Sequence, residues 1–191
     1  MFRNYLKTAF RNLRKNRLYS AINIFGLTVG LAACLLIGVY INHELSYDKF
    51  NVKADRIVRA TMEYKQSGTV NTTATTGTRV GPQFKRIFPA VEDYARTFLS
   101  HNVIRTDDKM FDEPRILYAD PAFFKIFSFQ LVQGNIATAL DAPDKIVITQ
   151  SMAKKYFGDE EALNKTFTMG KKNLRVSAIC EDAPQNSQIK F

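Results

Sequence analysis

Residues 22–41 read INIFGLTVGLAACLLIGVYI, and from Leu18 to Asn42 no side chain is formally charged. Twenty residues in a helix rise about 30 Å, the thickness of a bilayer's hydrocarbon core. Eleven of the twenty are Leu, Ile, Val or Phe; together they contribute roughly −3 to −7 kcal/mol toward insertion, against modest costs from Asn23 and Thr28. The stretch is therefore predicted to cross a membrane as one helix. A cleavable secretory signal fits poorly, because the run is too long and continues into Asn42, His43 and Glu44 with no small-residue cleavage site. Leu31-Ala-Ala-Cys34 has the form of a lipidation site, yet Leu35, Leu36, Ile37, Val39 and Ile41 carry the apolar run past the cysteine, where a lipoprotein turns polar.

Six basic side chains and no acid precede the stretch: Arg3, Lys7, Arg11, Arg14, Lys15 and Arg17. They account for two-thirds of the formal charge of +9 and leave 21 basic against 18 acidic residues elsewhere, an ordinary surface with no stripe to neutralise a phosphate backbone. No nucleic-acid partner is expected. Only Lys49, Lys53 and Arg56 follow the stretch closely, so the positive-inside rule places the N-terminus in the cytoplasm and the remainder outside, in a bacterium the periplasm. Phe2, Leu6, Phe10 and Leu13 recur at helical spacing beside the basic residues, which reads as an amphipathic helix in the headgroup layer or, more plainly, as a charged flank. The six basic groups are the candidate headgroup contacts, with the lipid bilayer as partner. Within the span, Gly26, Gly30, Cys34 and Gly38 recur every four residues and are the candidate packing face for another helix.

From His43 onward the chain alternates strand-like and helix-like stretches without the regular spacing of a doubly wound sheet, so the expected fold class is α+β. Strands are predicted at 56–64, 94–105, 115–118, 145–149 and 173–179, and helices at 79–88, 121–127 and 151–157. Residues 66–78, polar and rich in threonine, read as a loop or an extended edge, and Asp107-Asp108 as an acidic turn. The domain boundaries that follow are 1–17 for the leader, 18–45 for the span and 46–191 for the external domain. Eight of the fifteen phenylalanines lie between Phe84 and Phe129; a core explains them, and a hydrophobic cleft is the sharper alternative.

Little here points to catalysis. The histidines, His43 at the end of the span and His101 in a predicted strand, sit in no recognisable motif. Asp107/Asp108 and Asp112/Glu113 read as solvated surface. Gly170-Lys171 lacks the rest of a phosphate-binding loop. The two cysteines, Cys34 and Cys180, exclude a disulfide framework, and no Cys/His spacing suits zinc. No catalytic residue, cofactor or metal is expected, and the chain is not expected to be an enzyme.

Several spaced motifs nevertheless resemble one family. NYLKTAFRNLRKNRLYSAINIFGLTVGLA (4–32) is similar to the elbow helix and first span of ABC transporter permeases of the MacB/FtsX type, in the form common in Bacteroidetes. Ser46-Tyr-Asp-Lys-Phe-Asn51 with Asp55-Arg-Ile57 resembles the lead-in to their periplasmic domain. Residues 118–127 (YADPAFFKIF), 148–158 (ITQSMAKKYFG) and 182–187 (DAPQNS) resemble motifs of the periplasmic core. Asn164 stands where the family usually has glycine, and Gln188 where a histidine often follows Asn-Ser. The resemblance implies a MacB-like periplasmic core domain in the bacterial inner membrane, a separate ABC ATPase subunit as partner, and a second permease copy in a dimer. It also implies that ATP hydrolysis is coupled to periplasmic movement and substrate export, and that further spans belong to such permeases, making the chain an N-terminal fragment with a truncated core. The alternative function is an interaction or signalling module, an FtsX-like regulator of a cell-wall enzyme.

Overall fold

The computed structural model describes residues 2–106 and 109–191; the Asp107-Asp108 turn lies outside the described residues. The chain divides into two compact units, with the boundary between Tyr47 and Asp48.

The first unit is helical. Helix α1 (Phe2–Lys15) and helix α2 (Arg17–Glu44) are separated at Asn16, whose φ of −112° and ψ of 57° depart from helical values. At 1.5 Å per residue the 28 residues of α2 extend about 42 Å. None of them is buried, and α2 is the one helix among the described residues long and apolar enough to cross a membrane. Inside α2 the Thr28 hydroxyl donates to the Ile24 carbonyl at 2.7 Å, so this polar group brings its own partner into an apolar setting.

The second unit is α+β and carries two sheets. A two-stranded hairpin pairs β1 (Met62–Gln66) with β2 (Thr69–Thr73). Where the sequence predicted a strand at 56–64 followed by a loop or extended edge, the structure moves the strand later and folds residues 69–73 back upon it. The cause is the turn: Ser67 and Gly68 both have positive φ (50° and 84°), the combination that matches the twist of a two-residue hairpin.

The larger sheet runs β4 (Met110–Ala119), β3 (Thr97–Arg105), β7 (Thr166–Met169), β8 (Lys172–Cys180), β5 (Leu131–Gln133), with β6 (Lys145–Thr149) pairing parallel to β8. Strand β4 extends well beyond the predicted 115–118. Its Pro114 disguised it, since proline has no amide to donate, but β4 is an edge strand and the register skips at this point, from Asn102↔Glu113 to Ser100↔Ile116. Strand β7 was not foreseen either; Gly170, at φ 61°, turns it directly into β8.

Among the described residues this unit has three α-helices, α3 (Val80–Ile87), α4 (Phe123–Ile126) and α5 (Gln150–Phe157), and one 3-10 turn, Ala54–Arg56. Helix α3 stops where Phe88, the residue before Pro89, turns extended. Helix α5 starts at Thr149, whose side chain accepts the Met152 amide, and stops at Gly158, φ 65°.

Strand β8 organises the core through a bulge. Ile146 pairs with Val176, but the next β6 residue, Val147, pairs with Ala178, leaving Ser177 unmatched. Alternation along β8 therefore skips a step. Leu174, Val176 and Ile179 face a cluster with Ile148, Tyr156 and Phe167, while Cys180 joins Phe123, Phe124 and Phe129 in a second one. In the second cluster Phe123 stacks on Phe129 at 5.6 Å, and Phe50 and Phe191 meet Phe129 edge-on at 5.2 and 5.1 Å. Of the eight crowded phenylalanines, Phe84, Phe88 and Phe98 are exposed and the other five are buried or packed against the two clusters.

Candidate functional site

The sequence-derived site residues all lie in the helical unit. Gly26, Gly30 and Gly38 leave open space beside α2, with nothing but the helix's own adjacent backbone within 4 Å of where a Cβ would stand, and Cys34 is exposed. Because four residues exceed one turn by about 40°, the four positions form a ridge that drifts over about 120° of the helix surface rather than a straight line. Arg3, Lys7, Arg11, Arg14 and Lys15 lie exposed on α1, and Arg17 opens α2. Tyr5 and Phe10 are 71% and 70% exposed. The rings and the cations of α1 are thus exposed together.

His43 and His101 stand in separate units. His43 meets Tyr47 edge-on at 5.3 Å, and His101 pairs with Asp112 across β3 and β4, with both side chains exposed. Asp112 and Glu113, read from sequence as one solvated pair, diverge, since consecutive strand residues point to opposite faces. Glu113 is buried, and its carboxylate accepts from Lys155 at 2.5 Å. It also accepts a hydrogen bond from Tyr156; burial, and then this bond, push the Tyr156 phenol above its ordinary pKa. The group fastens α5 to the sheet. Gly170-Lys171 is a hairpin turn between β7 and β8. Beside α5 lies an open groove of about 500 Å³, lined by Val132, Gln133, Ala153, Lys154, Glu160 and Ala162 among others.

A second polar assembly sits where the second unit begins. Asp48, held at φ 56°, donates its amide to the Asn186 carbonyl at 2.9 Å, and its Oδ1 accepts the Gln188 amide at 3.1 Å. The buried Ser187 hydroxyl lies 3.4 Å from the same oxygen but 2.8 Å from the Ile189 carbonyl, so its single proton belongs to the nearer acceptor. Three residues on, buried Asn51 donates to the Asp48 carbonyl at 3.0 Å and accepts the Ser128 amide at 2.9 Å. The Ser128 hydroxyl in turn accepts the Val52 amide at 2.9 Å, and Lys53 donates to the Lys125 carbonyl at 3.1 Å. Sequence reading found two of these segments as separate motifs, 46–51 and 182–187. It did not find that they touch.

Both departures from the family pattern have a local explanation. Asn164 has φ 65°, a conformation glycine adopts freely and asparagine tolerates better than most residues, and its amide donates to the Val176 carbonyl at 2.8 Å. Gln188 engages Asp48 through its backbone amide, which any residue but proline supplies.

Two salt bridges fix the middle of the unit. Arg96 reaches Asp120 with Nε at 2.8 Å and Nη2 at 2.7 Å. This paired donation holds the Asp120 carboxyl below the usual carboxylate range. Lys85 does the same for Asp93 at 2.7 Å.

The family model for the MacB-like periplasmic core domain matches residues 20–190. Among solved structures, a domain of a Porphyromonas gingivalis protein assigned as a permease superposes with a TM-score of 0.59 at 27% identity, covering 68% of this chain and 57% of that one. The periplasmic region of MacB from Actinobacillus actinomycetemcomitans gives 0.41 at 21% identity, over 48% of this chain and 44% of that one. The extracellular domain of the noncanonic ABC-type transporter YknZ from Gram-positive bacteria gives 0.38 at 18%, over 47% and 49%. The chain thus spans less than two-thirds of each of these relatives. No curated protein matches. With the family model covering all but residues 1–19 and 191, the chain belongs to the MacB-like periplasmic core domain family.

Proposed function

We propose that this chain is part of an ABC transporter permease in the bacterial inner membrane, with its leader in the cytoplasm and its α+β unit in the periplasm. The observation that carries this reading is the continuity of an apolar helix of spanning length with a MacB-like core domain in one chain. A separate ABC ATPase supplies the energy. The chain itself acts mechanically rather than as an enzyme: closure of the ATPase on ATP moves the membrane helices, and the external domain shifts to release or expel substrate. On α2, Gly26, Gly30, Cys34 and Gly38 receive a neighbouring helix, of the same permease or of a second copy in the dimer. On α1 and at the start of α2, Arg3, Lys7, Arg11, Arg14, Lys15 and Arg17 hold anionic headgroups while the apolar face enters the interface.

The test is hydrogen exchange on the complex isolated from native membranes with its ATPase. Trapping the ATPase with ADP and vanadate changes exchange within residues 48–191 if the domain is driven by the ATPase. Identical exchange with and without ATP contradicts the coupling, and capture of a cell-wall hydrolase in place of an export partner points to the regulator reading.

A further inference from the structure

We infer that Asp48 and Asn51 form a two-sided joint through which motion arriving along the chain at Tyr47 is delivered to two parts of the domain together: the strap 184–191 and the loop 127–129 that follows α4. This rests on the reading of residues 48–191 as a driven domain, and adds where the drive enters it.

Three observations carry the inference. First, Asp48 is the first residue of the second unit, so covalent continuity delivers any pull or twist from Tyr47 to it. Second, the bonds at this residue run forward by about 140 positions and those at Asn51 by 77, so one short segment grips two parts of the chain remote from it in sequence. Asn51 is the link between the two grips, because one end of its amide holds the Asp48 carbonyl and the other holds Ser128. Third, the gripped segments are joined again behind the joint by aromatic contacts. Phe191 from the strap meets Phe129 at 5.1 Å and Phe123 at 6.0 Å, and Phe50 from the joint meets Phe129 at 5.2 Å. Joint, strap and loop thus close a ring around one end of the second aromatic cluster.

The strap and residues 127–129 lie outside helices and strands, so their amides are not tied into the strand ladders. They can open while the sheet stays intact, in the manner of a local cooperative unit. The positive φ of Asp48 adds a constraint of its own: only Gly, Asn and Asp occupy that region readily, and of these only Asn and Asp also offer an acceptor oxygen.

Hydrogen exchange resolved to single amides, on the full chain in lipid nanodiscs without any ATPase, tests the joint apart from the transport reading. Asp48→Gly keeps the backbone geometry and deletes the acceptor; Gln188 and its neighbours should lose about tenfold in protection, with β3, β4 and β8 unchanged. Asp48→Asn keeps the acceptor and should stay within about twofold of the parent. Asn51→Ala is the decisive variant, because the hydrogen bonds described for the Asn51 side chain run to Asp48 and Ser128. Loss of protection at both Ser128 and Gln188 is expected. Loss at Ser128 alone overturns the joint, as does a general loosening of the sheet in any variant, or an Asp48→Asn variant as loose as Asp48→Gly. Should the joint pass while ATP leaves the domain unmoved in the complex, the transport reading alone fails.

Discussion

At the scale of single residues, charge and burial set the domain's response to pH and to reagents. The Asp120 carboxyl is held down by Arg96 when folded and sits near the ordinary value of about 3.9 when unfolded. A carboxylate depressed in this way contributes stability that is fully present above the unfolded value and is lost as pH falls through the folded one. Thermal stability should therefore fall steeply below about pH 4. Arg96→Ala should lower the melting temperature at neutral pH and flatten the decline between about pH 4 and 2, and melting curves across that range check both. Equal slopes in parent and variant would remove the pair from the account.

Cys180 offers a second probe at the same scale. Burial pushes its thiol up to about 12, so only about one molecule in ten thousand carries a thiolate at pH 8, and the sulfur is enclosed as well. With Cys34 replaced by serine, a maleimide at pH 8 should label the chain only after denaturation. Prompt labelling of the folded domain would place Cys180 at the surface.

Elements were legible where the information is local. Helix α5 announced itself by Gly158 and a short amphipathic run, β6 by five residues of Lys-Ile-Val-Ile-Thr, and α3 by Pro89 beyond its end. Strands β5 and β7 were missed, and β2 was read only as a loop or an extended edge, because their identity comes from their partners. Thr-Val-Asn-Thr-Thr is rich in β-branched residues but has no apolar alternation to mark a half-buried strand, and it becomes one because Ser67 and Gly68 reverse the chain onto β1. The joint was illegible for the same reason carried further, since its two motifs lie about 140 residues apart and no periodicity links them. Glu113 was misjudged because Asp112 beside it does face solvent, and only the alternation of β4 separates them.

The cap of α5 gives the prediction at this scale. Thr149 Oγ1 accepts the Met152 amide at 3.3 Å in a buried position, so Thr149→Ala should cost about 1 kcal/mol and lower the melting temperature by about 2–4 °C. Thr149→Ser keeps the oxygen and should recover most of the loss. Equal destabilisation by both would show that the methyl group's packing, not the cap, is what matters.

For the whole molecule, the sequence separated two chemistries that the structure keeps in separate units. The first 47 residues contain the long uncharged stretch and the basic leader, and bury no side chain of α2; the rest builds an α+β body on two apolar clusters. Such a division makes sense for a chain whose first unit finds its apolar surroundings outside itself, in lipid and neighbouring helices. Orientation is the point on which the functional account turns, because ATP is consumed on one side of the membrane and the domain is proposed to act on the other. Cysteines at exposed Asn4 and Thr72, introduced one at a time into a chain with Cys34 replaced by serine, report it directly in bacterial cells with a permeable outer membrane and a sealed inner one. The account predicts that a membrane-impermeant maleimide labels Thr72→Cys at once and Asn4→Cys only after the inner membrane is opened. The opposite order, or a chain recovered soluble without detergent, would contradict it.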